Sequence, residues 1–120
     1  MNRDFKIGIK STDEFFAEAQ EVAKNIDRGV IPEKPVERLY FNDIRTLLQY
    51  LTPKRFELLD ALHKAGALSI NALAKQLQRH YKNVYDDVKI LETIGLIEKN
   101  ADGLFLVPWD EIQTTIRLAA

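Results

Sequence analysis

The sequence contains no cysteine, only two histidines, and few glycines and prolines. Without cysteine the chain has no disulfide framework and no cysteine-based metal site, and two histidines alone rarely hold a metal ion. No apolar run approaches the roughly 20 residues that a membrane-spanning helix needs, and the first residues lead into no signal-peptide core. We therefore expect a cytoplasmic protein with no metal, no cofactor and no membrane segment.

The chain also lacks a strong net charge, which is −1 overall. There is no global basic field of the kind that marks many nucleic-acid-binding proteins, so charge is compared by region. Residues 53 to 99 carry eight basic and six acidic groups, a net charge of +2. With 46% apolar residues in 120, the chain can bury one core. We expect one compact unit with a mildly basic middle and a smaller N-terminal appendage.

Two helix patterns and a hairpin pattern follow one another in the middle of the chain. Ser69 is placed to cap the first helix, whose apolar residues recur every three or four positions. The same period marks a second helix over residues 81 to 94, and Gly95 is able to end it in a left-handed conformation. Two short apolar runs then flank Asn100-Ala101-Asp102-Gly103, which has the composition of a tight turn. Residues 69 to 107 are therefore predicted to form a helix-turn-helix followed by a two-stranded wing.

The first part of the chain predicts a strand, a helix and a second strand. Residues 5 to 10 alternate apolar and other side chains, and Ser11 begins a capping-box pattern for a helix over residues 12 to 28. A proline-containing connector at residues 30 to 35 precedes a second strand over residues 36 to 41. The helix carries an apolar stripe wide enough to pack, with charged residues opposite. The stripe consists of Phe15, Phe16, Ala19, Val22, Ala23 and Ile26.

A lone pair of strands is marginal in water, so the two N-terminal strands need a cover. We favour pairing or exchange of strands across a homodimer. A self-contained strand–helix–strand unit docked on the rest of the chain is nearly as compatible with the sequence.

Three further helices are predicted around the middle segment. Asn42 is placed to cap a helix over residues 43 to 51, and Thr52 with Pro53 begins another that ends before Gly66. On that second helix the residues predicted to face the core are Phe56, Leu59 and Leu62. Beyond the wing, Pro108-Trp109-Asp110-Glu111 predicts the start of a short C-terminal helix. Its apolar residues are Ile112, Ile116 and Leu118, and we expect Trp109 to pack on the core.

Four segments of the chain resemble a known family. They are Leu51-Thr52-Pro53-Lys54-Arg55, Leu68-Ser69 with Leu73-Ala74 and Leu77, Lys82-Asn83-Val84 with Asp87-Val88 and Leu91, and Gly95-Leu96-Ile97. The chain resembles the winged helix-turn-helix regulators of the MarR and ArsR kind. More specifically, it is similar to small bacterial and archaeal DNA-binding proteins that include antitoxins of toxin–antitoxin pairs.

The resemblance implies a mainly α (α+β) fold, a winged helix-turn-helix with an N-terminal strand–helix–strand extension. Residues 1–52 would form the extension, for dimerisation or partner binding, and residues 53–120 the winged helix-turn-helix domain. Asp87 matches an aspartate of the motif, and we expect it to pair with a nearby lysine or arginine.

In a winged helix the second helix of the motif enters the major groove of double-stranded DNA, and the wing touches the backbone or minor groove. Arg79, Lys82 and Lys89 suit phosphates, Asn83 suits an adenine edge, and Tyr85 suits a thymine methyl group or a phosphate. Asp86 either repels phosphate or accepts from a cytosine amino group. The full predicted set of DNA-binding residues is Lys75, Arg79, His80, Tyr81, Lys82, Asn83, Tyr85, Asp86, Lys89, Lys99 and Asn100.

The function predicted from the sequence is a sequence-specific DNA-binding transcriptional regulator, a repressor acting as a homodimer with residues 81–94 as recognition helix. The alternative is an antitoxin-type module that binds and neutralises a small toxin protein, with or without autoregulatory DNA binding. A third possibility is a winged helix that serves only as a structural part of an assembly. There is no glycine-rich phosphate loop and no catalytic triad order, so we do not expect an enzyme.

Overall fold

A computed structural model of the chain describes residues 3–29, 37–116 and 118, and these form a mixed α+β fold. The predicted connector at residues 30 to 35 lies outside the described residues. The helices of the described fold are Thr12–Asp27 (α1), Ile44–Tyr50 (α2), Pro53–Ala65 (α3), Ile70–Leu77 (α4) and Tyr81–Thr93 (α5). Its strands are Asp4–Ile9 (β1), Glu37–Phe41 (β2), Ala67–Leu68 (β3), Glu98–Lys99 (β4), Phe105–Leu106 (β5) and Glu111–Thr115 (β6).

One sheet joins the two ends of the chain. Its order is β2-β1-β6, and β1 pairs in parallel with both neighbours. Phe5 lies opposite Glu37 on one side and Ile112 on the other. The second sheet has the order β3-β5-β4 and is antiparallel. The larger sheet therefore contains two strands from the predicted extension, residues 1–52, and one strand from the predicted winged helix-turn-helix domain, residues 53–120.

The C-terminal segment differs from its prediction. The short helix expected after Pro108 is wrong, because residues 111 to 115 form the strand β6. The backbone N–H of Asp110 donates to the Arg3 carbonyl over 2.8 Å, which aligns this segment with the beginning of β1. Ile112 packs against the core from β6. A long-range partner strand therefore overrides the local helix-start pattern.

Four of the helix starts have a side-chain cap. The side chains of Ser11, Thr52 and Ser69 accept from backbone N–H groups three residues on, as their positions predict. The cap of α2 is Asp43 and not the predicted Asn42, since Asp43 accepts from the Thr46 N–H over 2.8 Å. Each cap satisfies a backbone donor that the helix itself leaves free.

The core is continuous between the larger sheet and the helices. Phe5 and Ile7 of β1 belong to the same buried cluster as the residues of α3, α4 and α5. On α3 the buried residues are Leu58, Leu59 and Leu62, whereas Phe56 is 41% exposed, so its predicted place in the core is wrong.

Trp109 lies in this core, as predicted. Its ring centroid is 4.8 Å from that of Phe5, and its indole N–H donates to the Leu96 carbonyl over 3.1 Å. The buried indole is thereby hydrogen-bonded as well as packed.

The helix α1 lies mostly outside the core. Its predicted apolar stripe is exposed, with Phe15, Phe16, Val22 and Ile26 at 49%, 59%, 45% and 54% exposure. The expectation that this stripe packs is therefore not met within the described part of the chain. Among the helices of these residues, none is both long and apolar enough to cross a membrane.

Candidate nucleic-acid interface

The two helices α4 and α5 are joined by a tight turn. The hydroxyl of Ser69 caps α4 by accepting from the Ala72 N–H over 3.1 Å. At the other end Gln78 adopts a left-handed conformation, with φ 54° and ψ 46°. The N–H of Arg79 then donates to the Ala74 carbonyl over 3.1 Å, which closes the turn. The turn fixes where α5 begins and which of its sides faces away from α4.

The burial pattern of α5 separates an inner from an outer side. Val84, Val88 and Leu91 are buried, and they recur every three or four residues on one side of the helix. Tyr81, at the border of the buried side, is 51% exposed, and Tyr85, one turn further on, is 40% exposed, with ring centroids separated by 6.1 Å. The predicted residues Lys82, Tyr85, Asp86 and Lys89 share this outer side, with Asn83 exposed at its edge.

The β4–β5 hairpin extends the outer side of α5. The ammonium groups of Lys89 on α5 and Lys99 on β4 lie 5.4 and 5.6 Å from the ring centroid of Phe105, which is itself buried. The Lys89 ammonium also lies 5.6 Å from the Tyr85 ring centroid. Such cation–π contacts position the charged groups without neutralising them. We call this surface the α5–hairpin face, defined by Tyr81, Lys82, Tyr85, Asp86, Lys89 and Lys99.

Arg79, predicted as a phosphate contact, makes a contact within the protein. Its guanidinium donates to the Asp87 carboxylate over 2.8 Å, and Arg55 of α3 donates to the other oxygen of the same carboxylate over 3.1 Å. Arg55 also donates to the carbonyls of Gln49 and Tyr50, at the end of α2, over 3.2 and 2.7 Å. The predicted pairing of Asp87 with a basic residue is confirmed.

These contacts make the Asp87 carboxylate the junction of α2, α3, the turn and α5. The side chains of Arg55, Arg79 and Asp87 are only 15%, 21% and 14% exposed. Desolvated groups of this kind hold their partners more strongly than exposed pairs do. No pattern in the sequence indicates this role for Arg55, although the residue ends the Leu51-Thr52-Pro53-Lys54-Arg55 segment.

Asn100, another predicted DNA contact, organises the hairpin turn. Its side-chain oxygen accepts from the N–H groups of Asp102 and Leu104 over 3.0 and 2.9 Å. Its own backbone N–H donates to the Leu104 carbonyl over 2.8 Å. The side-chain oxygen of Asn100 is therefore engaged in the turn itself.

The remaining predicted residues lie beside the turn. Lys75 of α4 and His80, which precedes α5, are both exposed. They line a shallow groove between the end of α4 and the beginning of α5. The residues of this groove are Asn71, Ala74, Lys75, Gln78, Arg79, His80 and Tyr81.

The charge on the α5–hairpin face is positive on balance. Lys82, Lys89 and Lys99 contribute three positive charges, and Asp86 contributes one negative charge. The ammonium nitrogen of Lys89 also lies 3.5 Å from a carboxylate oxygen of Glu92. This ion pair is partly exposed and therefore contributes little to stability. In the part of the chain that the structure describes, no group of three histidine or acidic side chains is arranged to hold a metal ion. The chemistry available on this face is cationic and aromatic contact.

The fold and this face define an α+β protein with a helix–turn–helix segment and an adjoining hairpin that share one exposed surface. The chain belongs to the HVO_A0114 family, whose model matches residues 50–114, more than half of its length. No curated protein and no solved structure matches the chain. The matched segment contains α3, α4, α5 and the β4–β5 hairpin.

Proposed function

We propose that the protein is a sequence-specific DNA-binding transcriptional regulator, a repressor acting as a homodimer, with α5 as the recognition helix of a winged helix-turn-helix. The observation that carries the proposal is the α5–hairpin face. Its three lysines and two exposed tyrosines form one surface across a helix and a hairpin, and both elements are anchored to the same core.

The roles of individual residues follow from their surroundings. Lys82, Lys89 and Lys99 supply phosphate contacts, because their ammonium groups lie on the outer side of the protein. Tyr85 and Asn83 contact base edges, the former at a thymine methyl group and the latter at an adenine. Arg79 and Asn100 act indirectly, since their hydrogen bonds hold the turn before α5 and the turn of the hairpin.

Few positive groups take part, so the electrostatic share of affinity is small for one chain. In a homodimer the two copies of α5 would address half-sites about 34 Å apart, one helical turn of DNA. Each phosphate contact contributes about 0.9 to the slope of log affinity against log salt. Two copies double that slope and the number of base contacts.

The proposal is tested by fluorescence anisotropy, with the protein titrated onto its own upstream promoter DNA and onto scrambled DNA at two salt concentrations. We expect the promoter to be preferred, and Lys82→Ala to weaken binding and lower the salt slope by about 1 per chain. The control is Lys64→Ala, which removes an equally charged side chain, 72% exposed, from α3 outside the proposed face. Equal affinity of the wild type for both DNAs would refute sequence-specific binding.

Replacing Asp86 separates the two predicted roles of that residue. If the carboxylate repels phosphate, Asp86→Arg strengthens binding to promoter and scrambled DNA alike. If it accepts from a cytosine amino group, the same change removes the preference for the promoter. Non-specific binding that appears only in Asp86→Arg would contradict the proposal, because the wild-type face would then not bind DNA.

A further inference from the structure

The three parallel strands of the larger sheet end beside one another. β1 is the central strand, with β2 on one side and β6 on the other. Gly8, near the end of β1, pairs with Tyr40 of β2 and with Thr115, the last residue of β6. In open α/β sheets, ligands bind outside the carboxyl ends of the parallel strands. The topology therefore brings three strand ends together at one location where a ligand can bind.

A cavity lies at this location, between α1 and the side of the sheet that faces away from the core. Its volume is about 300 Å³, at the lower end of the range for small-molecule sites. Side chains alternate along β1, so Phe5 and Ile7 face the core while Lys6 and Gly8 lie on the side of the cavity. The cavity shares no residue with the α5–hairpin face, so it is a separate site.

Three basic side chains line the cavity, and two of them are neighbours across the strands. Lys6 of β1 lies opposite Arg38 of β2 in the register of the sheet. Neighbouring strands are only about 4.8 Å apart, and like charges directly opposite one another are destabilising. An anionic group between the two side chains would relieve this repulsion.

Glu18 of α1 supplies part of the compensating charge. It forms ion pairs with Arg38 over 3.1 Å and with Lys10, the third basic residue of the cavity. Among the described residues, Lys6 forms no ion pair, and Arg38 donates from one of its terminal nitrogens only. An ammonium group has three donors and a guanidinium has five. Glu18 therefore holds Arg38 and Lys10 in place while most of the donors remain for a ligand.

The hydroxyl of Tyr40 adds a further donor. It accepts from Arg38 over 3.2 Å, and the Lys10 ammonium lies 4.2 Å from the centroid of its ring. Its own O–H meets no acceptor in the part of the chain that the structure describes. Desolvation alone would raise the pKa of the Tyr40 phenol, but hydrogen bonds from Lys10 and Arg38 outweigh it and hold the pKa below its usual value. The surroundings of this oxygen therefore favour negative charge.

The charges of the lining determine the kind of ligand. The three basic groups face two acidic ones, Glu14 and Glu18, so one positive charge is in surplus. Guanidinium and ammonium groups bind carboxylate and phosphate oxygens through short, charge-assisted hydrogen bonds. A neutral or positively charged ligand would leave the donors of Lys6 and Arg38 without an acceptor.

We propose that this cavity binds a small molecule through an anionic oxygen group, a carboxylate or a phosphate, which accepts from Lys6, Arg38 and the Tyr40 hydroxyl. Lys10 and Glu18 flank this group and position Arg38 and Tyr40. Because the site is separate from the α5–hairpin face, its occupation does not depend on DNA.

The test is an NMR titration of the isotope-labelled full chain with sodium phosphate and with sodium acetate, compared with sodium chloride at matched ionic strength. We expect saturable shifts of the backbone amide signals of Lys6, Gly8 and Arg38 with phosphate, acetate or both, but not with chloride. A response to phosphate alone identifies a phosphate-bearing ligand, and a response to acetate alone identifies a carboxylate.

Two outcomes of the titration would overturn the proposal. One is the absence of a saturable shift at these three residues with either probe. The other is a set of shifts confined to Lys82, Lys89 and Lys99, because the anions would then bind the α5–hairpin face and not the cavity.

Two conservative variants change the charge of the cavity in opposite directions. Lys6→Gln removes an exposed cation and should weaken binding of the responding probe by about threefold or more. Glu14→Gln removes an exposed carboxylate and should tighten it by a similar factor. The matched control is Lys64→Gln on α3, outside the cavity, which should leave the affinity unchanged.

The opposite signs separate a direct effect of charge from a loss of folding, which would weaken binding in both variants. Emission from the buried Trp109 shows whether each variant is folded. In folded variants, an affinity that Lys6→Gln leaves unchanged, or that Glu14→Gln lowers, would overturn the proposal.

Discussion

Replacing Asp87 by alanine should destabilise the protein more than any other removal of a single carboxylate described above. The carboxylate accepts from Arg79 over 2.8 Å and from Arg55 over 3.1 Å, and all three side chains are at most 21% exposed. One terminal nitrogen of Arg79 is already buried without a hydrogen-bond partner in the described structure. Removal of the acceptor therefore leaves two largely desolvated guanidinium groups without their counter-charge.

The magnitude follows from the two hydrogen bonds. A hydrogen bond to a charged group contributes about 1.5–3 kcal/mol net, and breaking a fully buried ion pair costs about 3–5 kcal/mol. The Arg79 side chain is 21% exposed and so not fully buried, which lowers the cost below that of a fully buried pair. Arg55 keeps its bonds to the carbonyls at the end of α2. We expect the free energy of unfolding to fall by about 2–3 kcal/mol.

The assay is urea denaturation followed by the fluorescence of Trp109, the one tryptophan of the chain, which is 3% exposed. Asp86→Ala is the control, because it removes an exposed carboxylate from the neighbouring position and should change stability by less than about 0.5 kcal/mol. A double-mutant cycle with Arg79→Gln should give a coupling energy of about 1–2 kcal/mol. Equal stability of the Asp86 and Asp87 variants would show that the ion pairs of Asp87 with Arg55 and Arg79 do not stabilise the fold.

Three smaller predictions concern other contacts. Trp109→Phe removes the donor to the buried Leu96 carbonyl and should lower the free energy of unfolding by about 1–3 kcal/mol in urea; an unchanged midpoint would contradict it. Hydrogen bonds from the backbone and side chain of Thr46 hold the pKa of Asp43 below its usual range, against the opposing effect of desolvation. The contribution of Asp43 is therefore present above its unfolded pKa and lost as pH falls through its folded pKa. Asp43→Ala should lower the thermal midpoint at neutral pH but not in strong acid, and a difference that persists below about pH 2 would argue otherwise. Asn100→Ala removes the acceptor of two N–H groups, so hydrogen exchange in the hairpin turn should accelerate by about tenfold or more; unchanged exchange would show that the turn forms without it.

The parts of the fold that local chemistry determines were predictable. Ser69 caps α4 as its position indicates, and Gly95 ends the α5 segment with φ 93°. The predicted bounds of α1, α5 and the first two strands agree with the structure to within one residue. In each case a side chain or a backbone conformation within a few residues sets the boundary.

The parts that depend on distant partners were not predictable. Residues 111 to 115 follow Pro108 and Asp110 and begin with Glu111, which is a helix-start pattern, yet they form β6 because β1 offers a parallel partner. The period of α1 predicted an apolar stripe that packs, but the stripe is exposed within the described residues, because the period shows which residues share a side of a helix and not what covers that side.

The sequence predicted which residues share the outer side of α5, but it did not predict the contacts that some of the candidate residues make within the protein. The period of α5 placed Lys82, Tyr85 and Lys89 on one outer side, where they lie in the structure. The same period could not show that Arg79 is engaged by Asp87, because that contact depends on the conformation of the turn between α4 and α5. A count of charges does not distinguish the lysines on the outer side of α5 from Arg79, which is paired with Asp87.

The central position of β1 has a consequence for how the protein is made. The hydrogen-bonded pair Arg3 and Asp110 is separated by 107 positions in the sequence, so β1 leaves the ribosome long before β6 is synthesised. Until then the backbone edge of β1 that pairs with β6 has no partner strand, and β1 also carries the apolar side chains of Phe5 and Ile7. Such an edge can pair with another chain, and contacts between residues so far apart form slowly. We expect chains truncated before residue 111 to aggregate, because β6, which is synthesised long after β1, is the strand that pairs with this edge of β1.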